Sequence, residues 1–295
     1  MTLIKCATHV VRDLTATTGR FEQWLDYRVV ETGVVTADLA DSWSSPASAG
    51  RRYAVLQPAS GASVFVRFVE GDPVAGYLPI RSYGWAAIEI CVQDVSAVHE
   101  RMRRSPFEVI GPPTPIAGFP TIHPMQVRGA DQETVYLTEI TADAVEHGLP
   151  VAKTLIDRPF ILVLACADLG ANIRWFTEVI GLEVSAPVAI RYSMIAKAFG
   201  LPDGQLHEIA TAKWQKQVFL ELDQYPAATV VRPRHPGALP PGIAIGTIIH
   251  PDFDRFEGHW ATAPTVREGI LYGNRKVGVL KTPDGALLEV IDGRT

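Results

Sequence analysis

Apolar and polar positions alternate along most of this chain with the period of β-strands, interrupted by a few short stretches of helical spacing. The stretch Ile88-Glu-Ile-Cys-Val predicts a strand, as do Val218-Phe-Leu-Glu-Leu and Leu287-Leu-Glu-Val-Ile. Two stretches with apolar residues three and four apart predict amphipathic helices: Phe21, Trp24 and Leu25, then Trp175, Phe176, Val179 and Ile180. An Asp precedes each such helix. Asp13, Asp94, Asp168 and one of Asp252 or Asp254 are read as N-caps, because a short carboxylate can accept the free N–H groups of a first helical turn.

The pattern repeats. Asp13-Leu14, Phe21, Leu25 and Val29 recur as Asp168-Leu169, Phe176, Ile180 and Val184, displaced by 155 positions. Ser63-Val-Phe-Val-Arg-Phe pairs with Gln217-Val-Phe-Leu-Glu-Leu at a displacement of 154. Each half holds a weaker second copy, opened by Ile88-Glu-Ile-Cys-Val-Gln-Asp-Val and by Gly246-Thr-Ile-Ile-His-Pro-Asp-Phe. The chain therefore divides into four strand–helix–three-strand units starting near Leu3, Trp85, Phe160 and Gly242. The expected fold class is α+β: four βαβββ units paired into two domains of curved mixed sheets with flanking helices. The expected domains are 1–141 and 159–295, joined by a linker over 142–158. The Ser/Ala/Gly-rich stretch Asp38–Gly50 is expected to be a mobile loop over one mouth of the first half.

This organisation resembles the vicinal oxygen chelate superfamily, which includes glyoxalase I, extradiol ring-cleavage dioxygenases and bleomycin-resistance proteins. The stretches most similar to it are the Asp168–Gly181 helix, Gln217–Pro226 and Thr282–Ile291. The resemblance implies curved sheets around a cavity that often holds a divalent metal. It places ligands in the first and last strand of each unit. Carried over, the first-strand positions are Cys6, Ala87, Ile161 and Ile245, and the last-strand positions are Arg67, Tyr136, Glu221 and Glu289. The two-histidine, one-carboxylate iron site of the ring-cleaving relatives cannot be assembled from these residues. The expected cofactor is accordingly none, or a weakly held Mg²⁺ or Mn²⁺ on Glu221 and Glu289.

Strand alternation offers an independent reading of the same positions. It puts Phe219, Glu221 and Asp223 on one strand face, and Leu287, Glu289 and Ile291 on another. Inward carboxylates need a proton, a donor or a cation, whereas in a wet groove they would simply be solvated. Glu89 shares the inward parity of Ala87, where an ion pair with Arg67 is expected. His207 opens a strand, and its position resembles that of an acid–base histidine in ring-cleaving relatives; the plainer reading is an exposed strand-end histidine. Tyr192 and Tyr272 are further wall candidates with phenolic donors. Of the other histidines, His99 falls on a helix surface, His147 and His235 fall in loops, and His9 is one strand position off the inward parity set by Cys6.

Composition narrows the function classes. With 27 Lys and Arg against 32 Asp and Glu, the net charge of −5 argues against nucleic acid or an anionic membrane as partner. No apolar run reaches the ~18 residues of a membrane span. Cys6, Cys91 and Cys166 are odd in number and far apart, as expected of reduced thiols in the cytoplasm. The expected function is proton-transfer chemistry (a lyase or isomerase) on an oxygenated aromatic or keto-acid compound in the second-half cavity, with Glu221, Glu289 and His207 catalytic. Phe219, Ile161, Ile245, Arg67, Glu89 and Tyr136 would complete the walls. The alternatives are a metal-free binding protein of bleomycin-resistance type and a diverged ring-cleavage dioxygenase. Either a monomer or a homodimer is compatible.

Overall fold

The computed structural model describes residues 2–116, 119–141, 148–202 and 204–294; His147 and the linker positions 142–146 lie outside these. The first unit comprises β1 (Ile4–Val11), α1 (Leu14–Leu25), β2 (Tyr27–Val34), α2 (Ala37–Ser42), β3 (Arg52–Pro58) and β4 (Phe65–Glu70). The second comprises β5 (Gly84–Val92), α3 (Val95–Met102), β6 (Glu108–Gly111), β7 (Ile122–Arg128) and β8 (Thr134–Ile140). The third contains β9 (Ile156–Cys166), α4 (Leu169–Trp175), β10 (Glu183–Val184), β11 (Val188–Arg191), α5 (Ser193–Phe199), β12 (Leu206–Trp214) and β13 (Gln217–Gln224). The fourth contains β14 (Gly242–His250), β15 (Thr262–Arg267), β16 (Arg275–Lys281) and β17 (Leu287–Asp292).

The aspartate caps form as expected in three units. Asp13, Asp94 and Asp168 each accept a backbone N–H, from Ala16 at 2.9 Å, Ala97 at 2.9 Å and Ala171 at 2.8 Å. In the fourth unit the helix shrinks to a 3-10 turn, Phe253–Phe256, and Asp252 makes no capping bond. Helix α1 buries Leu14, Thr17, Phe21 and Leu25, one face at three- and four-residue spacing.

The strands form two sheets, and the partnering is nested. One sheet has the order β15-β16-β17-β14-β1-β4-β3-β2, so it joins the first unit to the fourth. The other runs β10-β12-β13-β9-β5-β8-β7-β6, joining the second unit to the third. The central contacts are antiparallel, β1 against β14 (Ala7 opposite Gly246) and β5 against β9 (Glu89 opposite Ile161). This corrects the expected sheet boundary: residues 1–141 and 159–295 do not each close a sheet of their own. The connection over 71–83 carries the chain from β4 into the other sheet; fully extended, such a segment reaches roughly 40 Å.

One continuous core lies between the sheets and includes the buried faces of α1, α3 and α4. At its centre the Trp85 indole N–H donates to the Leu287 carbonyl at 2.8 Å. Gly246 faces the same ring. A Cβ there would stand 2.8 Å from it, so this approach of the two sheets requires a residue without a side chain. The outer, concave face of each sheet carries a smaller apolar cluster of its own.

Asp38–Gly50 is not an irregular loop. Thr36 caps α2, a 3-10 turn follows at Pro46–Ser48, and Trp43 is fully buried against the concave face of the first sheet.

Candidate functional site

In the first sheet, β4 and β17 bring Arg67 and Glu289 together, both essentially without solvent exposure. Arg67 Nη2 lies 3.4 Å from Glu289 Oε2. The guanidinium also donates to Thr8 Oγ1 at 2.9 Å and to the Tyr272 hydroxyl at 2.5 Å, and stacks 4.6 Å above the Trp43 ring. Glu289 accepts further bonds from the Trp43 indole (3.0 Å), the Tyr272 hydroxyl (3.0 Å) and Thr247 (2.9 Å). Every oxygen of this carboxylate has its donors. Cys6 packs nearby, its thiol pushed up to about 12 by burial despite the neighbouring guanidinium, and is therefore a neutral apolar group.

The concave face of the second sheet is different. Glu221 and Asp223 on β13 stand opposite Thr211 and Ile209 of β12, so they share a face; His207 lies one strand repeat further along that same face. Glu89 on β5 pairs in register with Tyr136 on β8 and lies on this side as well. Tyr192, which leads into α5, donates its hydroxyl to Glu221 Oε1 at 2.9 Å and stands 3.3 Å from the Tyr136 hydroxyl. Thr138 donates to Glu89. Asp223 is fully buried, and neither of its oxygens receives an N–H or hydroxyl donor. Glu221, two residues earlier on the same strand face, is the acid whose charge acts on it most.

All three acids are shifted upward. Burial and then the neighbouring Glu221 charge raise Glu89 to about 8. Burial raises Glu221 against the hydrogen bonds from Tyr192 and Asp223, and raises Asp223 well above the carboxylate range with help from the Glu221 charge. Glu221 and Tyr192 retain partial exposure, so solvent reaches the cluster at this point. His207 is buried and its Nε2 has no partner; burial lowers its basicity, favouring the neutral imidazole.

No family model and no curated protein matches the sequence. Solved structures do match the fold. Glyoxalase I from Zea mays superposes with a TM-score of 0.64 at 16% identity, over 99% of this chain and 92% of that chain. A variant of the same maize protein gives 0.67 at 15% identity, with 94% of its chain covered. A Bacillus subtilis protein provisionally named a dioxygenase gives 0.65 at 11% identity, covering 99% and 85%. The chain has the two-domain vicinal oxygen chelate fold.

Within this vicinal oxygen chelate frame the expected residues are redistributed. Glu221, His207, Tyr192, Tyr136, Glu89 and Ile161 share the concave side of the second sheet, whereas Glu289, Arg67, Tyr272 and Ile245 belong to the first. Glu221 and Glu289 therefore cannot act as one pair or hold one metal. The expected Arg67–Glu89 ion pair does not form, because these residues occupy different sheets; Arg67 takes Glu289 instead. Phe219 is no wall residue. A bulge puts Ala212 opposite Leu220 and Lys213 opposite Val218, leaving Phe219 unpaired, and its ring packs into the central core. Asp223 was visible in the alternation with Glu221, but its fully buried, donor-free state depends on tertiary packing.

Neither face suits the divalent ion common in this fold. Where a cation would sit in the first sheet stands the Arg67 guanidinium. In the second, Glu221 is flanked by Ala87, Tyr136 and Ile161, which leaves a single carboxylate among the ligand positions. Among the described residues no three His, Cys, Asp or Glu side chains are grouped to hold a metal.

Proposed function

We propose that this chain is an enzyme that moves a proton on a small oxygenated molecule at the concave face of its second sheet. The observation that supports this most is the Glu221–Asp223 carboxyl pair, one member reached by solvent and the other sealed behind it. Two neighbouring carboxyls, both shifted upward, can serve as an acceptor and a donor of the same proton. Glu221, held by the Tyr192 hydroxyl, accepts the substrate proton; Asp223 stores a proton and sets the charge on its neighbour. Neutral His207 on the same face offers a second relay group. Glu289 takes no part, since its hydrogen bonds and ion pair are complete. The keto-acid option fits poorly: a substrate carboxylate would meet three acids. A carbonyl compound without an acid group suits the site, working in the cytoplasm as a lyase or isomerase.

The test follows solvent deuterium entering carbonyl compounds by NMR. Glu221→Gln and Asp223→Asn should each slow exchange by about 10²-fold or more, the usual scale for losing a general acid or base. Exchange indifferent to both variants would refute the assignment. A second reading, metal-free sequestration, draws on the apolar and tyrosine side chains gathered on the concave face of the second sheet. Two surface clefts of about 120 and 90 Å³ lie beside Val10, Gly71 and Asp72, away from the three acids. Ligand binding without turnover would favour it.

A further inference from the structure

The two concave faces descend from the same repeat, so each shows what the other lacks. At corresponding last-strand positions the first sheet brings Arg67 to Glu289, and the second brings Tyr136 to Glu221. In the first sheet the chain supplies its own cation, seated between Glu289, the Tyr272 hydroxyl and the Trp43 ring. In the second sheet the carboxylate is kept, two more acids are added, and a neutral phenol stands where the guanidinium would be. Among the described residues no Lys or Arg forms an ion pair with Glu89, Glu221 or Asp223. Two groups on this face have no hydrogen-bond partner: both oxygens of the fully buried Asp223, and Nε2 of His207, only 5% exposed. The aromatic side is present too, as Tyr136, Tyr192 and Tyr225 gather in the same cluster.

We propose that the second sheet binds a small organic cation, a protonated amine or amidinium, beside Glu221 and the Tyr136 phenol on its concave face. The ligand's N–H donors meet Glu221 and Asp223, its charge balances the acids, and the tyrosine rings flank it. The inference names the substrate class of the site proposed above and rests on that location, but not on its chemistry. Groups facing the ligand are Glu89 from β5, Tyr136 and Thr138 from β8, His207 from β12, Glu221 and Asp223 from β13, Tyr192 ahead of α5, and Tyr225 after β13. Glu89 is raised to about 8, and a cation beside it favours its charged form, so binding expels a proton.

Isothermal titration of the full chain with benzamidine, benzylamine, benzyl alcohol and benzoate tests this. The two cations should bind at least about tenfold more tightly than benzyl alcohol, and benzoate more weakly still. Comparing buffers of different ionisation enthalpy should show proton release on binding of the cations by the wild type, a readout that needs no variant. Asp223→Asn and Glu89→Gln should each weaken cation binding by about tenfold or more, while Glu257→Gln, which removes an exposed acid elsewhere, should not. Equal binding of benzyl alcohol or benzoate, no binding of either cation, or cation binding without proton release would overturn the inference. Deuterium exchange that still requires Glu221, together with failed cation binding, would leave the acid–base reading standing and remove only this one.

Discussion

Replacing Arg67 by Met tests whether the first sheet's concave face is a self-contained ion pair rather than a second active site. At 3.4 Å, and with an effective dielectric of about 20, the attraction between Arg67 and Glu289 is about 5 kcal/mol. Arg67→Met removes that attraction, the bond to Thr8 and the stacking on Trp43. Glu289 stays buried with three donors from Trp43, Tyr272 and Thr247. Removing one partner of a buried pair costs roughly 3–5 kcal/mol, because the other charge is left uncompensated. The double variant Arg67→Met, Glu289→Gln should recover most of that loss, since a neutral amide needs no counter-charge. Urea denaturation of the four proteins, extrapolated to water, gives the coupling energy directly. Single-variant effects that add to within about 0.5 kcal/mol would refute the reasoning, as would a large drop in turnover without a drop in stability.

Two further expectations concern pH. His9 is fully buried, neither ring nitrogen has a partner, and burial lowers it to about 3 from 6.5. The unfolded chain thus binds this proton first; the stability is complete above about 6.5 and declines as pH falls toward 3, by about 2 kcal/mol at pH 5. His9→Leu should flatten that decline in acid denaturation profiles, and an unchanged profile would count against a neutral buried imidazole. Glu89 has the opposite sign: raised to about 8, it contributes stability that is present below about 4.5 and lost as pH rises through 8. Glu89→Gln, which can still accept from Thr138, should gain on the wild type between pH 5 and 8 in thermal melts; a parallel pair of curves would contradict this.

Local physics was legible in the sequence, and long-range partnering was not. Asp13, Asp94 and Asp168 cap helices because capping needs only a residue and the three that follow. The repeat exposed the four units for the same reason. Which unit joins which depends on first strands meeting across the sheet, and the alternation of β1 and β5 is equally satisfied by several partners. That ambiguity placed Glu221 and Glu289 together and Arg67 beside Glu89. Phe219 was misplaced because a bulge shifts strand parity without any glycine to announce it. Trp43 was hidden in a stretch rich in Ser and Ala, yet its indole is a main donor to Glu289.

The nested partnering also has a consequence for how the protein acquires its shape. The second sheet is assembled from one unbroken span, β5 to β13, and can close while the chain is still being synthesised. The first sheet cannot: β1 to β4 must wait, with a long apolar strand edge uncovered, until β14 emerges more than 150 residues later. Loop closure over that distance is slow compared with local pairing. The waiting edge is the point at which a nascent or thermally stressed chain can join a neighbouring molecule instead of its own last unit.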